Sequence, residues 1–287
     1  MLDTLLPKKI KSLLDLIRFS KPIGFLLLMW PCYFAMANLD RTFTDSVYWY
    51  FLFLVGSFLM RSSGCIINDL IDMEIDKKVE RTLKRPLASK EVSVFESVCL
   101  LLFFLILSLF VLLEFNSKTL VLGIISIPLI IIYPLMKRYT NWPQLFLGIV
   151  FNWGVLIVSV EFNGSLSFSF FVLYIGCIFW TLGYDTIYAY QDREDDIKNN
   201  IKSTAVIFGD NGKLYVMIFY SIFILIIGYL GYQNSNSLLS IMIALVFLIF
   251  LLLYVKNWKI NSKISSKYYF KFNNIIGLFC FMYLVVF

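Results

Sequence analysis

Two sets of carboxylates stand out in a chain otherwise poor in charge. The first is Asn68-Asp69-x-x-Asp72-x-x-x-Asp76. On a helix turning about 100° per residue, Asn68, Asp72 and Asp76 fall within roughly 80° of one another on one face. Carboxylates four residues apart repel, so such a stripe is costly unless a cation lies against it. The second set is Tyr184-Asp185-Thr186 followed by Asp192-Arg193-Glu194-Asp195-Asp196. If one helix runs through it, Asp185, Asp192 and Asp196 share a sector of roughly 40°. Asp69, Glu194 and Asp195 point off these stripes and are expected to be solvated or structural. A lone aspartate at a helix end is ordinarily a cap or a loop charge. The same register occurring twice near membrane depth is what argues for function.

Oxygen donors without His or Cys suit a hard ion. The chain has no His, and Cys32, Cys65, Cys99, Cys177 and Cys280 lie scattered in apolar stretches, which argues against zinc or haem. Mg²⁺ keeps some waters and takes one or two carboxylates plus substrate phosphate. Two acidic faces meeting across one space would therefore hold Mg²⁺ against a diphosphate. On that reasoning Asp72, Asp76, Asp185, Asp192 and Asp196 are the candidate catalytic carboxylates. Asn68, Asp72, Asp76, Asp192 and Asp196 are the candidate metal ligands. Basic residues follow each set: Lys77, Lys78, Arg81, Lys84 and Arg85 after the first, Lys198 and Lys202 after the second. Arginine forks and lysine point charges are the usual partners of phosphate oxygens. Membrane topology alone also calls for some of them. Arg61, about two turns before Asp69 in an apolar stretch, needs a partner of its own. Arg18 and Lys21, before Pro22, have a plain alternative as lipid-facing anchors.

These groups must be positioned by elements that span a bilayer. Of 287 residues 60% are hydrophobic and only 15% charged, and the apolar residues come in long blocks. The blocks are Gly24–Ala37, Val47–Met60, Val98–Leu113, Leu120–Met136, Leu145–Val160, Phe168–Leu182, Tyr215–Leu230, Leu238–Val255 and Phe272–Phe287. With their flanks they approach the ~20 residues a helix needs to cross about 30 Å of hydrocarbon. The expectation is an all-α integral membrane protein with nine transmembrane helices in one domain over residues 1–287. Residues 1–20, with Lys8, Lys9, Lys11 and Arg18 among leucines, form an interfacial amphipathic segment. All but two of the 25 Lys and Arg, Arg41 and Lys118, fall on one side of this topology. By the positive-inside rule that side is cytoplasmic. The expected location is a bacterial inner (cytoplasmic) membrane, with both acidic loops facing the cytoplasm. The net charge of +6 then reflects topology and anionic lipid, not nucleic acid.

At RSSGCIINDLIDMEIDKKVERTLKRPL (61–87), YPLMKRYTNWPQLFLG (133–148), YDTIYAYQDREDDIKNNIKSTAVIFG (184–209) and KPIG (21–24), the sequence resembles the UbiA superfamily of intramembrane aromatic prenyltransferases, its hydroxybenzoate branch in particular. The resemblance implies helices around a central cavity, capped by loops on the cytoplasmic side. It implies Mg²⁺, a polyprenyl diphosphate donor, and transfer to the ring carbon ortho to the hydroxyl of 4-hydroxybenzoate, as in ubiquinone biosynthesis. Asn68, Asp72, Asp76, Asp192 and Asp196 match the two diphosphate–magnesium motifs. Tyr133 and Lys137 match a Tyr-x-x-x-Lys element and join Arg81, Arg85, Lys198 and Lys202 as candidate diphosphate ligands. Arg138 follows as in the hydroxybenzoate branch and is the first candidate for the acceptor's carboxylate, with Arg61 second. The chain departs from the pattern at Asn199-Asn200, where relatives commonly place a glycine, and at Phe151-Asn152-Trp153-Gly154, where a second small residue and a nearby proline are expected. A cation-coupled transporter is the rival of another class, but the acidic groups sit at helix ends, not at the midplane. Within the family the open alternative is another acceptor: a naphthoate, homogentisate or haem.

Overall fold

The computed structural model describes residues 7–39, 43–79 and 82–287, all helix, turn and loop without a strand. In chain order the helices are α1 (Lys8–Leu16), α2 (Ile23–Ala37), α3 (Phe43–Asp76), α4 (Val94–Leu113), α5 (Ser117–Ile132), α6 (Met136–Tyr139), α7 (Pro143–Phe151) and α8 (Trp153–Asn163). They continue as α9 (Phe168–Ala189), α10 (Arg193–Lys198), α11 (Thr204–Phe208), α12 (Gly212–Ser235), α13 (Leu238–Lys256) and α14 (Lys263–Val286). Among the described residues eight segments are long and apolar enough to span, with α7–α8 forming one of them. The expected ninth, α2, has only 15 residues, about 22 Å of helix and short of a ~30 Å core. Arg41 and Arg81 lie outside the described residues, as do residues 1–6 of the N-terminal segment.

Burial grades the helices by position. In α9, 72% of the apolar window is buried, against 11% in each of α4 and α5, so α9 is central and the α4–α5 hairpin faces lipid. Around α9 pack α7, α8, α12 and α14, with α2 between α3, α8 and α14. A polar hub ties three of them together. The fully buried Asn273 of α14 accepts from Trp180 Nε1 of α9 (3.0 Å) and Tyr220 Oη of α12 (2.8 Å), and its own amide donates to Tyr269 O (3.1 Å). Where no water competes, satisfying every polar group inside the bundle fixes which helix faces meet.

Two features carry the acidic residues out of the apolar layer. Helix α3 has 34 residues, about 51 Å of rise, so its last turns project beyond a ~30 Å core. The second acidic segment is not one continuous helix. α9 stops at Ala189, and the amides of Gln191 and Asp192 reach back three residues, to Tyr188 and Ala189. Asp192 then takes the N-cap position of the short α10 without a side-chain capping bond, and the first turn holds Glu194, Asp195 and Asp196. Acidic residues belong at a helix N-terminus, where the orphan amides and dipole favour them. That preference ends α9 and starts α10, so the shared sector expected for Asp185, Asp192 and Asp196 is replaced by a turn.

Helix α1 is docked on protein. Leu16 and Ile17 join a buried cluster with Leu59, Ile66, Leu87, Val92 and Phe104. Lys9 bonds Glu96 (2.6 Å), and Ser12 bonds Glu91 (2.9 Å). Glu96 also closes a capping box with Ser93, which starts α4 four residues ahead of the apolar block.

Candidate active site

The end of α3 is a dense array of buried ion pairs. Asp69, 1% exposed, accepts from Arg18 Nη2 on both oxygens (2.8 and 2.7 Å) and from Arg85 Nη1 on Oδ1 (3.0 Å). Arg85 Nη1 also reaches Asp76 Oδ2 at 2.7 Å. Asp69 is thus structural, as its place off the stripe suggested, but it is buried, not solvated. Arg18 is the anchor of this carboxylate, not a lipid-facing residue. It sits at φ 59°, a left-handed conformation that costs an L-residue about 1–2 kcal/mol and persists only when neighbouring contacts over-determine it. The fork onto Asp69 supplies those contacts.

Asp72, one turn further on, is held differently. Lys137 of α6 donates to Oδ2, while Oδ1 has no hydrogen-bond partner, and Arg138 Nη2 stands off at 3.7 Å. Asp72 is also 1% exposed. A buried carboxylate oxygen left open is expensive, and it marks where a further positive group fits. Asn68 is half-buried on the same helix.

The loops bring the second acidic segment to the first. After α10, Asn200 adopts φ 54°, and the Ile201 amide bonds back to Asp196 O at 2.9 Å. This is a helix-terminating turn that needs a left-handed residue, and asparagine tolerates the conformation best after glycine. The departure from the family's glycine therefore leaves the loop path intact. Lys202 then bridges to the other segment, its amide to Lys137 O (3.0 Å) and its Nζ to Tyr139 O (3.0 Å). Gln144 Oε1 accepts from the Thr204 amide (3.1 Å), and Thr204 pairs with Thr186 of α9 (2.7 Å). Lys137, whose side chain meets Asp72, is thereby pinned by the loop that follows Asp192 and Asp196. Asp196 is buried, Asp185 and Asp192 are half-buried, and Lys198 is exposed.

Between these ends lies Arg61. Its Nε is buried and has no hydrogen-bond partner, and its guanidinium carbon stands 5.3 Å from the Phe151 ring centroid. Tyr133, Tyr184 and Tyr188 are within its electrostatic reach, and Tyr133 in turn senses Asp72 and Asp185. Gly24 makes the room: a Cβ there would lie 2.7 Å from Arg61 Nε, which explains the glycine of KPIG. Arg138, by contrast, keeps 44% of its side chain exposed and donates to Ile71 O at 3.1 Å. Sequence reasoning named Tyr133 for the diphosphate and gave no role to Tyr184 or Tyr188, because in a long apolar helix such as α9 a tyrosine reads as packing. It also missed Gln144, a lone amide whose partner is a backbone group 60 residues away.

Among the described residues no group of three or more His, Cys, Asp or Glu is arranged to hold a metal ion by itself. The open Oδ1 of Asp72 fits an ion that draws the rest of its shell from substrate phosphate and water, as Mg²⁺ does.

The model of the UbiA prenyltransferase family matches residues 28–276. The chain is 46% identical over 217 residues to the mitochondrial 4-hydroxybenzoate polyprenyltransferase of Arabidopsis thaliana, covering 75% of this chain and 53% of that protein. It thus spans about half the length of the mitochondrial relatives it matches. In fold it is similar to the apo structure of a UbiA homolog from Aeropyrum pernix K1, with a TM-score of 0.71 at 20% identity, covering 92% of this chain and 97% of that one. It is likewise similar to a UbiA homolog from Archaeoglobus fulgidus bound to GPP and Mg²⁺, with a TM-score of 0.66 at 18% identity, covering 96% of this chain and 100% of that one. The expected bacterial inner membrane is corrected by these comparisons. Several of the curated relatives it matches are eukaryotic and named as mitochondrial, against the bacterial assignment. Charge asymmetry orients a chain across a bilayer and carries no information on which bilayer.

Proposed function

This chain belongs to the UbiA prenyltransferase family, and we propose that it transfers a polyprenyl group from polyprenyl diphosphate to the ring carbon ortho to the hydroxyl of 4-hydroxybenzoate, releasing diphosphate, in ubiquinone biosynthesis. The observation that carries the proposal is the meeting, around Tyr133, of a buried carboxylate with one open oxygen (Asp72) and a half-buried arginine whose buried Nε is open (Arg61). One suits the metal–diphosphate end of the reaction, the other an aromatic acid.

In this proposal Asn68, Asp72, Asp76, Asp192 and Asp196 would hold Mg²⁺, which when bound neutralises diphosphate and makes it a better leaving group. Lys137, Arg85, Lys198, Lys202, Tyr133 and the undescribed Arg81 serve the diphosphate. Two of these, Lys137 and Arg85, lie against Asp72 and Asp76, so positive charge is gathered where the anion would be received. Arg138, exposed beside Asp72, belongs to this end as well. Arg61 is the anchor for the acceptor's carboxylate. An aromatic acid entering a low-dielectric site must find a cation, and arginine can hold both oxygens in one plane. The aromatic walls exclude water, which would otherwise consume an allylic cation. Asp185 or Asp192 takes the ring proton after attack, and the electrostatic link of Asp185 to Tyr133 and Tyr184 favours Asp185.

The test uses membranes containing the protein, geranyl diphosphate, Mg²⁺ and a panel of aromatic acceptors. Prenylated 4-hydroxybenzoate should dominate. Asp72→Asn and Asp192→Asn should each nearly abolish turnover at matched protein level, and chelating Mg²⁺ should do the same. Near-normal turnover in either variant would remove the metal site, and preference for another acceptor would remove the substrate assignment.

A further inference from the structure

Arg61 is not the only open donor in its pocket. The Tyr184 hydroxyl is buried and has no hydrogen-bond partner, within electrostatic reach of both Arg61 and Asp185. Thr181, one turn back on α9, is the nearby polar group. Its hydroxyl donates to Cys177 O (3.0 Å) and accepts from Asn152 Nδ2 (2.9 Å), so it has only a second lone pair to offer Tyr184. The phenol ring cannot swing away to find another partner. It is wedged edge-on against Trp180 (5.4 Å between centroids) and Phe270 (6.1 Å), and Trp180 is itself fixed by Asn273 (3.0 Å). The hydroxyl is therefore preset in position, and the acceptor nearest to hand in the protein is the lone pair left on Thr181 Oγ1, with which it makes no hydrogen bond of good geometry.

A buried O–H donor and a buried N–H donor, both unsatisfied and close together, are complementary to one thing: an anionic acceptor with two oxygens. We propose that Tyr184 is a specificity-determining residue, its hydroxyl donating to the carboxylate of the aromatic acceptor beside Arg61. The inference rests on the acceptor assignment made above and deepens it. Arginine alone supplies charge and would accept any anion of suitable size. Adding a fixed phenol sets the plane of the carboxylate, and with it the face of the ring turned toward the allylic carbon. An acceptor with no oxygen there leaves both donors buried and unpaired, and a neutral amide offers them a single uncharged oxygen, which is the costly condition that produces discrimination.

The experiment compares 4-hydroxybenzoate with the near-isosteric, uncharged 4-hydroxybenzamide, using the full-length protein in membranes with geranyl diphosphate and Mg²⁺. Tyr184→Phe keeps the ring and its packing and removes only the hydroxyl. Its kcat/KM for the acid should fall about 10- to 100-fold, as for loss of a hydrogen bond to a charged group. Its kcat/KM for the amide, whose oxygen carries no charge, should fall only a few-fold and its KM for geranyl diphosphate should stay near wild type, so the acid-over-amide ratio narrows by about tenfold. An unchanged ratio in Tyr184→Phe overturns the inference while leaving the acceptor assignment standing. Equal losses on both acceptors overturn it too, since the hydroxyl would then serve only the fold. A wild-type protein that does not prefer the acid overturns the acceptor assignment itself, and this inference with it.

Discussion

Asp69 and Asp72 are neighbours on α3 with equal burial, and they should fail in opposite ways when their charge is removed. Asp69 accepts three hydrogen bonds from two arginines, each with 18% of its side chain exposed. In Asp69→Asn one oxygen remains to accept, while the new amide presents its own hydrogens to Arg18 Nη2. Arg18 then loses its carboxylate partner, and of its two carboxylates Arg85 keeps Asp76. Breaking a buried pair by removing one partner costs about 3–5 kcal/mol. Partial solvent access to both arginines puts the expectation near the lower end, about 3 kcal/mol. For a chain of this size that corresponds to an apparent melting temperature lower by about 5–10 °C. Asp72 has one oxygen already open and partners, Lys137 and Arg138, with 24% and 44% of their side chains exposed. Asp72→Asn should therefore shift melting by much less while abolishing prenyl transfer. The assay is thermal aggregation of detergent-solubilised protein, followed by size-exclusion chromatography, with turnover measured on the same membranes. Wild-type melting for Asp69→Asn, or a larger loss for Asp72→Asn than for Asp69→Asn, would refute the division into a structural and a functional aspartate.

Gly24→Ala places a Cβ against Arg61 Nε at 2.7 Å. The long side chain can shift, so melting should hold while KM for 4-hydroxybenzoate rises several-fold; unchanged KM would show that Arg61 does not need this position. Asn200→Val puts a β-branched residue at φ 54° and should destabilise by about 1–2 kcal/mol, whereas Asn200→Gly should match wild type in the same melting assay. Gly212→Ala drives a methyl to within 2.0 Å of Tyr190 Oη, which donates to Gly209 O at 2.5 Å. The expected loss is about 1–3 kcal/mol, and wild-type stability would mean that this end of α12 is loosely packed. Cysteines placed at Lys78 and Lys118 should label with a membrane-impermeant reagent from opposite faces of sealed vesicles; labelling from the same face would overturn the topology.

Hydropathy alone located the spanning helices, because a bilayer accepts only segments whose backbone bonds close internally and whose side chains are apolar over a fixed thickness. The acidic stripe of α3 was equally legible, since helical register on one continuous element follows from residue spacing. Register failed between Asp185 and Asp192, where spacing cannot tell a continuing helix from one that stops and restarts on an acidic cap. Which aspartate is structural was half legible: Asp69 lay off the stripe, but its burial comes from Arg18, 51 residues earlier. The choice between Arg61 and Arg138 was beyond the sequence altogether. Both are arginines beside family motifs, and only packing separates them: Gly24 and Phe151 enclose one, and the basic face leaves the other in the open. The same holds for Tyr184. Its proposed role depends on a buried hydroxyl without a hydrogen bond of good geometry within electrostatic reach of Arg61, and that juxtaposition exists only once α3 and α9 are packed.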